Sequence, residues 1–290
     1  MIFIIDPKDE LPAGSKARAA IVTLVVGELH TKVWTHVCSS SWISYAERTG
    51  LDIIVLTARI DETDVARSPA WQKLLILDLP WACLYERIIW LDSDILITDM
   101  APHVLEFAGP AEKVGLCIDC ARMSAAEAQV FLEVNLKVQL SPDGVDTDWH
   151  NVQRNRYRDC GLPEHDVMFN TGVMVLSPRH HNELLKSAYG APQFCGLFEQ
   201  PQLSDLLLSQ DLAYVMSPRF NWGVIEPIQL IVTTGSWGDE SPEFIGQLVR
   251  FIVRAQFRCA YFLHFYGAMD LLRRFADIPG KDPAEEARAA

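Results

Sequence analysis

The sequence predicts an α/β fold built on a mostly parallel central sheet flanked by helices, and three observations carry that prediction. The runs AAIVTLVV (19 to 26), LDIIVLT (51 to 57) and RIIWL (87 to 91) have the continuous apolar, β-branched character of strands covered on both faces. Segments with helical spacing separate them, so the order is strand, helix, strand, helix, strand, as parallel crossovers require. The third run leads, within IIWLDSDILI (88 to 97), into Asp92 and Asp94, at the carboxyl edge where open α/β sheets bind ligands.

The elements follow in order. MIFII meets Asp6 and Pro7 too soon to be a signal-peptide core, and residues 1 to 18 are expected to form an N-terminal arm. Residues 31 to 49 carry apolar positions at helical spacing and stop before Gly50, and SPAWQKLLILDL starts a second helix with Ser68 as cap and Pro69 at its first position. After RIIWL, VGLCID (114 to 119) is a strand and a helix starts at Ser124. Residues 141 to 166 read as long polar loops, the kind often retained for function. VMFNTGVMVLS (167 to 177) resumes strand character, SQDLAYVM (209 to 216) reads as helix, and residues 243 to 258 form another helix. One domain over 1 to 275 is expected, with a polar tail, 276 to 290, that has no core to join.

At 290 residues and 49% hydrophobic, the chain can bury a sizeable core. A formal net charge of −13 argues against a nucleic-acid partner, which calls for a basic face. No run reaches the roughly 18 apolar residues of a membrane span, so no transmembrane segment is expected. Seven cysteines, mostly inside apolar runs, read as reduced thiols of a cytoplasmic protein, with Cys117 and Cys120 as core packing rather than a redox pair.

A buried strand has no reason to end in unpaired anions, because desolvating a carboxylate is costly without a cation or hydrogen bonds to receive it. Hard cations prefer carboxylate oxygens, so Asp92 and Asp94 point to Mn²⁺, with Mg²⁺ as the alternative; a lone Asp-x-Asp is equally a solvated turn. A second alternative is a haloacid-dehalogenase-like phosphatase with Asp92 as nucleophile, for which Leu96 and GDESPE (238 to 243) make imperfect further motifs.

The remaining motifs resemble those of the retaining glycosyltransferases of family 8, the glycogenin and lipopolysaccharide galactosyltransferase family with the GT-A fold. AIVTL, WQKLLILDLPWACLYERIIWLDSDILI, VGLCID, FNTGVMVLSP, SQDLAYV and HFYG match in order from about residue 20 to 267. The resemblance implies transfer of a sugar from a UDP-sugar donor to a hydroxyl of a glycan, protein or small-molecule acceptor, with retention; a homo-oligomer is left open. Asp92, Asp94 and His264 would hold the ion, and a nitrogen ligand suits Mn²⁺; taken alone, His264 is equally a buried histidine among Phe262, Phe265 and Tyr266.

By the same resemblance Thr23 and His30 contact base and ribose, with His30 in the place of a stacking Tyr. Lys73, Ser93 and Gly267 line the nucleotide site, although a lone lysine at position 73 also reads as an exposed helix lysine. Asn170 and Gly172 hold the sugar, Gln210 and Asp211 lie beneath its anomeric carbon, and Asp119 is an acceptor-side acid. For each the bland alternative stands: a strand with a bulge glycine, a helix start after Ser209, a turn cap.

Three departures accompany the match. Ser209 stands where an acid commonly precedes the Gln, Asp270 replaces a late lysine, and Gly27 and Glu28 replace an aspartate near the first strand. The first two keep a non-catalytic nucleotide-sugar-binding protein open. Arg154, Arg156 and Arg158 in the polar segment read either as solvated or as meeting an anion, and Arg250, Arg254 and Arg258 as a solvated helix face.

Overall fold

The structure is a computed structural model that describes residues 1–11, 17–136, 147–192, 196–228 and 242–275. Seven strands form the large sheet: β1 (Ile2–Ile5), β2 (Ala19–Leu24), β3 (Asp52–Leu56), β4 (Arg87–Leu91), β6 (Val114–Ile118), β7 (Phe169–Leu176) and β8 (Ala213–Val215), in the order β1-β3-β2-β4-β7-β6-β8. β7 runs antiparallel to both neighbours, and every other pairing is parallel, so the mostly parallel sheet read from the sequence is present. A second sheet joins β5 (Ile95–Ile97), β10 (Phe262–His264) and β9 (Trp222–Gly223) in the order β5-β10-β9.

Period-two alternation splits the central strands between two cores. Ile21, Ile53, Val55, Ile89 and Leu91 face one side, where they meet Trp34, Trp42 and Tyr45 from the helical run α1 (Glu28–Val33), a π-helical turn (Trp34–Cys38) and α2 (Ser39–Thr49). Val22, Ile54, Leu56, Ile88 and Trp90 face the other, against Trp71 and Leu74 of a 3₁₀ helix (Pro69–Asp78) and against α5 (Pro178–Gly190) and α6 (Gln200–Ser209). Gly50 ends α2 at φ 71°, the left-handed turn that glycine allows, as its place in the sequence implies.

Several sequence expectations are corrected. MIFII is an edge strand parallel to β3, with Phe3 and Ile5 buried, so residues 2 to 5 are sheet rather than arm. SPAWQKLLILDL adopts a 3₁₀ rather than an α-helix, although Ser68 caps it as expected, accepting from the Ala70 amide. Residues 210 to 216 are not helical: α6, with Leu203 and Leu207 buried, ends at Ser209, and Ala213–Val215 forms β8 beside β6. The helix read from Ser124 is α3 (Ala125–Leu136); of the polar stretch 141 to 166, residues 141–146 lie outside the described ones, and Trp149–Asp159 is helix α4, capped by Asp148 accepting from the His150 amide. Cys160 is disulfide-bonded, against the expectation of reduced thiols, whereas Cys38, Cys83, Cys117, Cys120 and Cys259 are free. Residues 276–290 lie outside the described ones. Among the described residues, no helix is long and apolar enough to cross a membrane.

The three alternating arginines sit on α4, and each has a carboxylate. Arg154 pairs with Asp166 and Arg158 with Glu164 near the surface, while Arg156 is fully buried with Nη2 2.6 Å from Asp119 Oδ2 and Nη1 2.9 Å from Gln153 Oε1. Arg250 and Arg254 are exposed on the helix Pro242–Phe257, as read, and Arg258 is exposed in the turn just past its end. The Arg156 pair pins α4 to the end of β6. Removing one partner of a buried pair strands the other charge, so Arg156→Ala should cost about 3–5 kcal/mol of unfolding free energy in urea titration. The doubly apolar variant Arg156→Met with Asp119→Leu should recover part of that loss.

Candidate active site

All groups of the site sit at one edge of the large sheet, for a topological reason. β4 and β6 end there, delivering Asp92 and Asp119 just past their last residues, and antiparallel β7 begins there, delivering Asn170, Thr171 and Gly172. The Asp92 amide donates to the Gly172 carbonyl at 2.9 Å, extending the ladder to the first acidic residue. The small sheet supplies the rest: His264 on β10 pairs with Ile95 on β5, which seats the imidazole beside Asp94.

The acidic pair and the histidine converge. His264 Nε2 is 3.2 Å from Asp94 Oδ1 and 3.8 Å from Asp92 Oδ2, and one ligand atom from each residue lies within 4.8 Å of the others. His264 is 1% exposed, and its Nε2 has no hydrogen-bond partner. Gly172 makes room for the ring: a β-carbon there would lie 2.1 Å from His264 Cε1 and 2.7 Å from Nδ1.

Lys73 enters from the 3₁₀ helix and is 3% exposed at its side chain, with Nζ 2.9 Å from Asp92 Oδ1 and 3.0 Å from Glu199 Oε1. Burial works against the ammonium, but the two carboxylates outweigh it and raise the pKa, so Lys73 stays charged. The exposed-lysine alternative is thereby excluded. Trp90 Nε1 donates to Asp92 Oδ1 at 2.7 Å, and Thr171 Oγ1 to Glu199 Oε1 at 2.6 Å. Asp92, Asp94 and Glu199 set three carboxylates against one ammonium, an excess of two negative charges that one divalent cation would balance. Asp119, Cys120 and Glu226 also cluster within ligand reach, but Arg156 and Arg122 already pair with the two carboxylates, and burial pushes the Cys120 thiol well up. Of these two clusters among the described residues, the first has the charge and donor set for an ion.

Lys73, Asp92, Asp94, Glu199 and His264 line a cleft of about 400 Å³ together with His30, Phe131, Phe198, Gln200, Tyr266 and Gly267. No protein-family model matches the sequence, and no curated protein matches it. Among solved structures, a glycosyltransferase involved in the glycosylation of the major capsid of PBCV-1 is similar with a TM-score of 0.53 at 12% identity, covering 90% of this chain and 100% of that one. The bifunctional glycosyltransferase WbbM gives a TM-score of 0.53 at 13% identity, covering 96% of this chain and 52% of its own. The chain has the GT-A glycosyltransferase fold. At such identities the likeness speaks for the fold, and the residues must speak for the site.

On this GT-A sheet the structure brings Asp92, Asp94, His264, Lys73, Asn170, His30 and Gly267 together at the cleft, with Gly172 packed against His264 and Ser93 half-buried between the two aspartates. Thr23 is fully buried inside β2 and is not among the cleft-lining residues. Gln210 and Asp211 are not at the cleft at all. They precede β8 at the opposite edge of the sheet, where the exposed Asp211 side chain pairs with Lys113 ahead of β6. The residues that do reach the cleft are Glu199 and Gln200, at the start of α6 rather than its end. Glu199 is 1% exposed, and Gln200 Oε1 accepts from the Thr171 amide at 3.4 Å. A signal was available, since FEQPQ contains the acid-then-Gln order whose absence at Ser209 counted as a departure. Most of GDESPE, residues 238–241, lies outside the described residues.

Because the imidazole packs on the bare α-carbon of Gly172, Gly172→Ala should displace His264. Mn²⁺ binding, followed by electron paramagnetic resonance, should weaken about tenfold or more, as for supports of metal ligands. Overpacking should cost roughly 1–3 kcal/mol in chemical denaturation, with the folded secondary structure retained.

Proposed function

We propose that this chain is a metal-dependent retaining glycosyltransferase that moves a sugar from a UDP-sugar to a hydroxyl acceptor. The observation that carries the reading is the meeting of Asp92, Asp94 and His264 with Glu199 and Gln200 in one cleft at the carboxyl edge of a GT-A sheet. Asp92, Asp94 and His264 would hold Mn²⁺; the unpartnered, buried Nε2 and the two-charge excess both fit a divalent ion with one nitrogen ligand. Such an ion neutralises charge on a departing diphosphate as a Lewis acid. The donor nucleotide follows from the motif resemblance.

The chain's own groups divide the remaining work. Lys73 fixes Asp92 and Glu199 and, being shared between them, is not a free cation for phosphate. His30 is exposed at the cleft mouth, where an imidazole can stack on a base. In retaining transfer the incoming hydroxyl occupies the face the nucleotide leaves, so the opposite face needs a group that tolerates an oxocarbenium-like state. Gln200 takes that role here in place of Gln210, with Glu199 as the acid that precedes it. Its presence removes one of the two departures on which a non-catalytic reading stood. The phosphatase alternative fares worse: Trp90 and Lys73 already engage the Asp92 carboxylate, which suits holding a ligand rather than nucleophilic attack.

Thermal unfolding with UDP, GDP and a panel of UDP-sugars, each with and without Mn²⁺, tests this. A ligand at about 100 times its dissociation constant adds roughly 2.7 kcal/mol, so UDP with Mn²⁺ should raise Tm by several degrees. Asp94→Ala should abolish that shift and leave the unliganded Tm nearly unchanged. Absence of any Mn²⁺-dependent nucleotide shift would remove the donor-site reading. Once a donor is known, Gln200→Ala should lower kcat about 10²-fold, the scale of losing one preorganised electrostatic group, whereas Gln210→Ala should turn over like the parent.

A further inference from the structure

A chain of hydrogen bonds behind the cleft has a fixed polarity. It starts at the ion pair of Arg156 with Asp119, which is fully buried on the Arg side and 5% exposed at Asp119. A carboxylate can only accept, so Asn170 must turn its Nδ2 toward Asp119 Oδ1, at 3.0 Å. That leaves Asn170 Oδ1 as the acceptor for the Gly172 amide at 3.0 Å and for Asn221 Nδ2 at 2.8 Å. With its Nδ2 so committed, Asn221 presents Oδ1 to His264 Nδ1, at 2.8 Å. An amide carbonyl can only accept, so Nδ1 must carry the proton.

We infer that Asn221, oriented through Asn170 by the buried Asp119, is a positioning residue that keeps the His264 proton on Nδ1 and the Nε2 lone pair free toward Asp92 and Asp94. Neither carboxylate would choose this arrangement. Asp94 Oδ1, 3.2 Å from Nε2, would draw the proton to that nitrogen, and a protonated nitrogen cannot ligate a metal. The relay opposes that draw with four mutually constrained groups, Arg156, Asp119, Asn170 and Asn221, each from a different part of the chain. Reversing it would set an amide oxygen against the Asp119 carboxylate, or leave the Gly172 amide without its acceptor. The inference deepens the metal reading of the same site and rests on it for its purpose, but the proton position holds or fails without any metal.

The test is ¹⁵N NMR of the imidazole nitrogens in metal-free protein labelled at histidine, under alkaline conditions. The expected spectrum shows His264 protonated at Nδ1. Protonation at Nε2 would overturn the inference directly, whatever any variant does. Asn221→Ala should move the proton to Nε2 and weaken Mn²⁺ binding about tenfold or more, the usual scale for a lost partner behind a ligand. Asn221→Asp should restore Nδ1–H, since a carboxylate accepts from that position as well. A merely structural role would leave the proton in place in all three proteins, and that result also overturns it. Should Asn221→Ala fail to fold, the near-isosteric Asn221→Leu, which likewise lacks the acceptor, should show the same move of the proton to Nε2, and a proton still on Nδ1 there would overturn the inference. Nδ1–H without measurable Mn²⁺ binding would uphold the relay while removing the metal reading, so the two failures are distinguishable.

Discussion

Carboxylates taken out of water demand a cation, and the site is arranged around how that demand is met. The Lys73 ammonium, buried on the 3₁₀ helix, lies between Asp92 at the end of β4 and Glu199 at the start of α6. Three elements distant in sequence are therefore fixed to one point by a charge none could hold alone. Asp94 is left outside that arrangement, and its nearest counter-group is an imidazole whose Nε2 has no hydrogen-bond partner. The cleft is thus satisfied where it must be rigid and electrostatically incomplete at one place.

The direction of β7 does the rest. Had all strands run parallel, the start of β7 would lie at the far edge and the Asn170 to Gly172 segment could not meet Asp92. Its reversal lets a strand's beginning share an edge with its neighbours' ends, and the Asp92 amide bonds the Gly172 carbonyl as a direct result. The missing β-carbon at Gly172 then allows an imidazole from the second sheet to close over that junction. Backbone topology and one side-chain deletion together set the donor atoms.

Much of this was legible in the sequence, and the failures have physical causes. Strands buried on both faces announce themselves as unbroken apolar runs, and RIIWL was read to its limits as β4. α4 was hidden because its buried face includes Gln153 and Arg156, so its helical period is not an apolar one. β8 was taken for helix because Leu212 to Met216 has apolar residues enough for either, and only its pairing with β6 decides. Asp92, Asp94 and His264 stood out by motif, while Glu199 and Gln200 were passed over for a similar pair ten residues on. Asn221 carried no local signal of any kind. An asparagine in a loop acquires a role only when the fold brings Asn170 and His264 to either side of it.

The short run from Asp92 to Asp94 both carries the two cleft carboxylates and forms the covalent bridge from β4 of the large sheet to β5 of the small one. His264 belongs to the small sheet, Asp92 to the edge of the large one. Any sliding of one sheet past the other must therefore change the spacing of the Asp92, Asp94 and His264 side chains, and anything that fixes that spacing stiffens the joint between the sheets. Affinity at the site and mechanical compliance of the molecule are two readings of one coordinate.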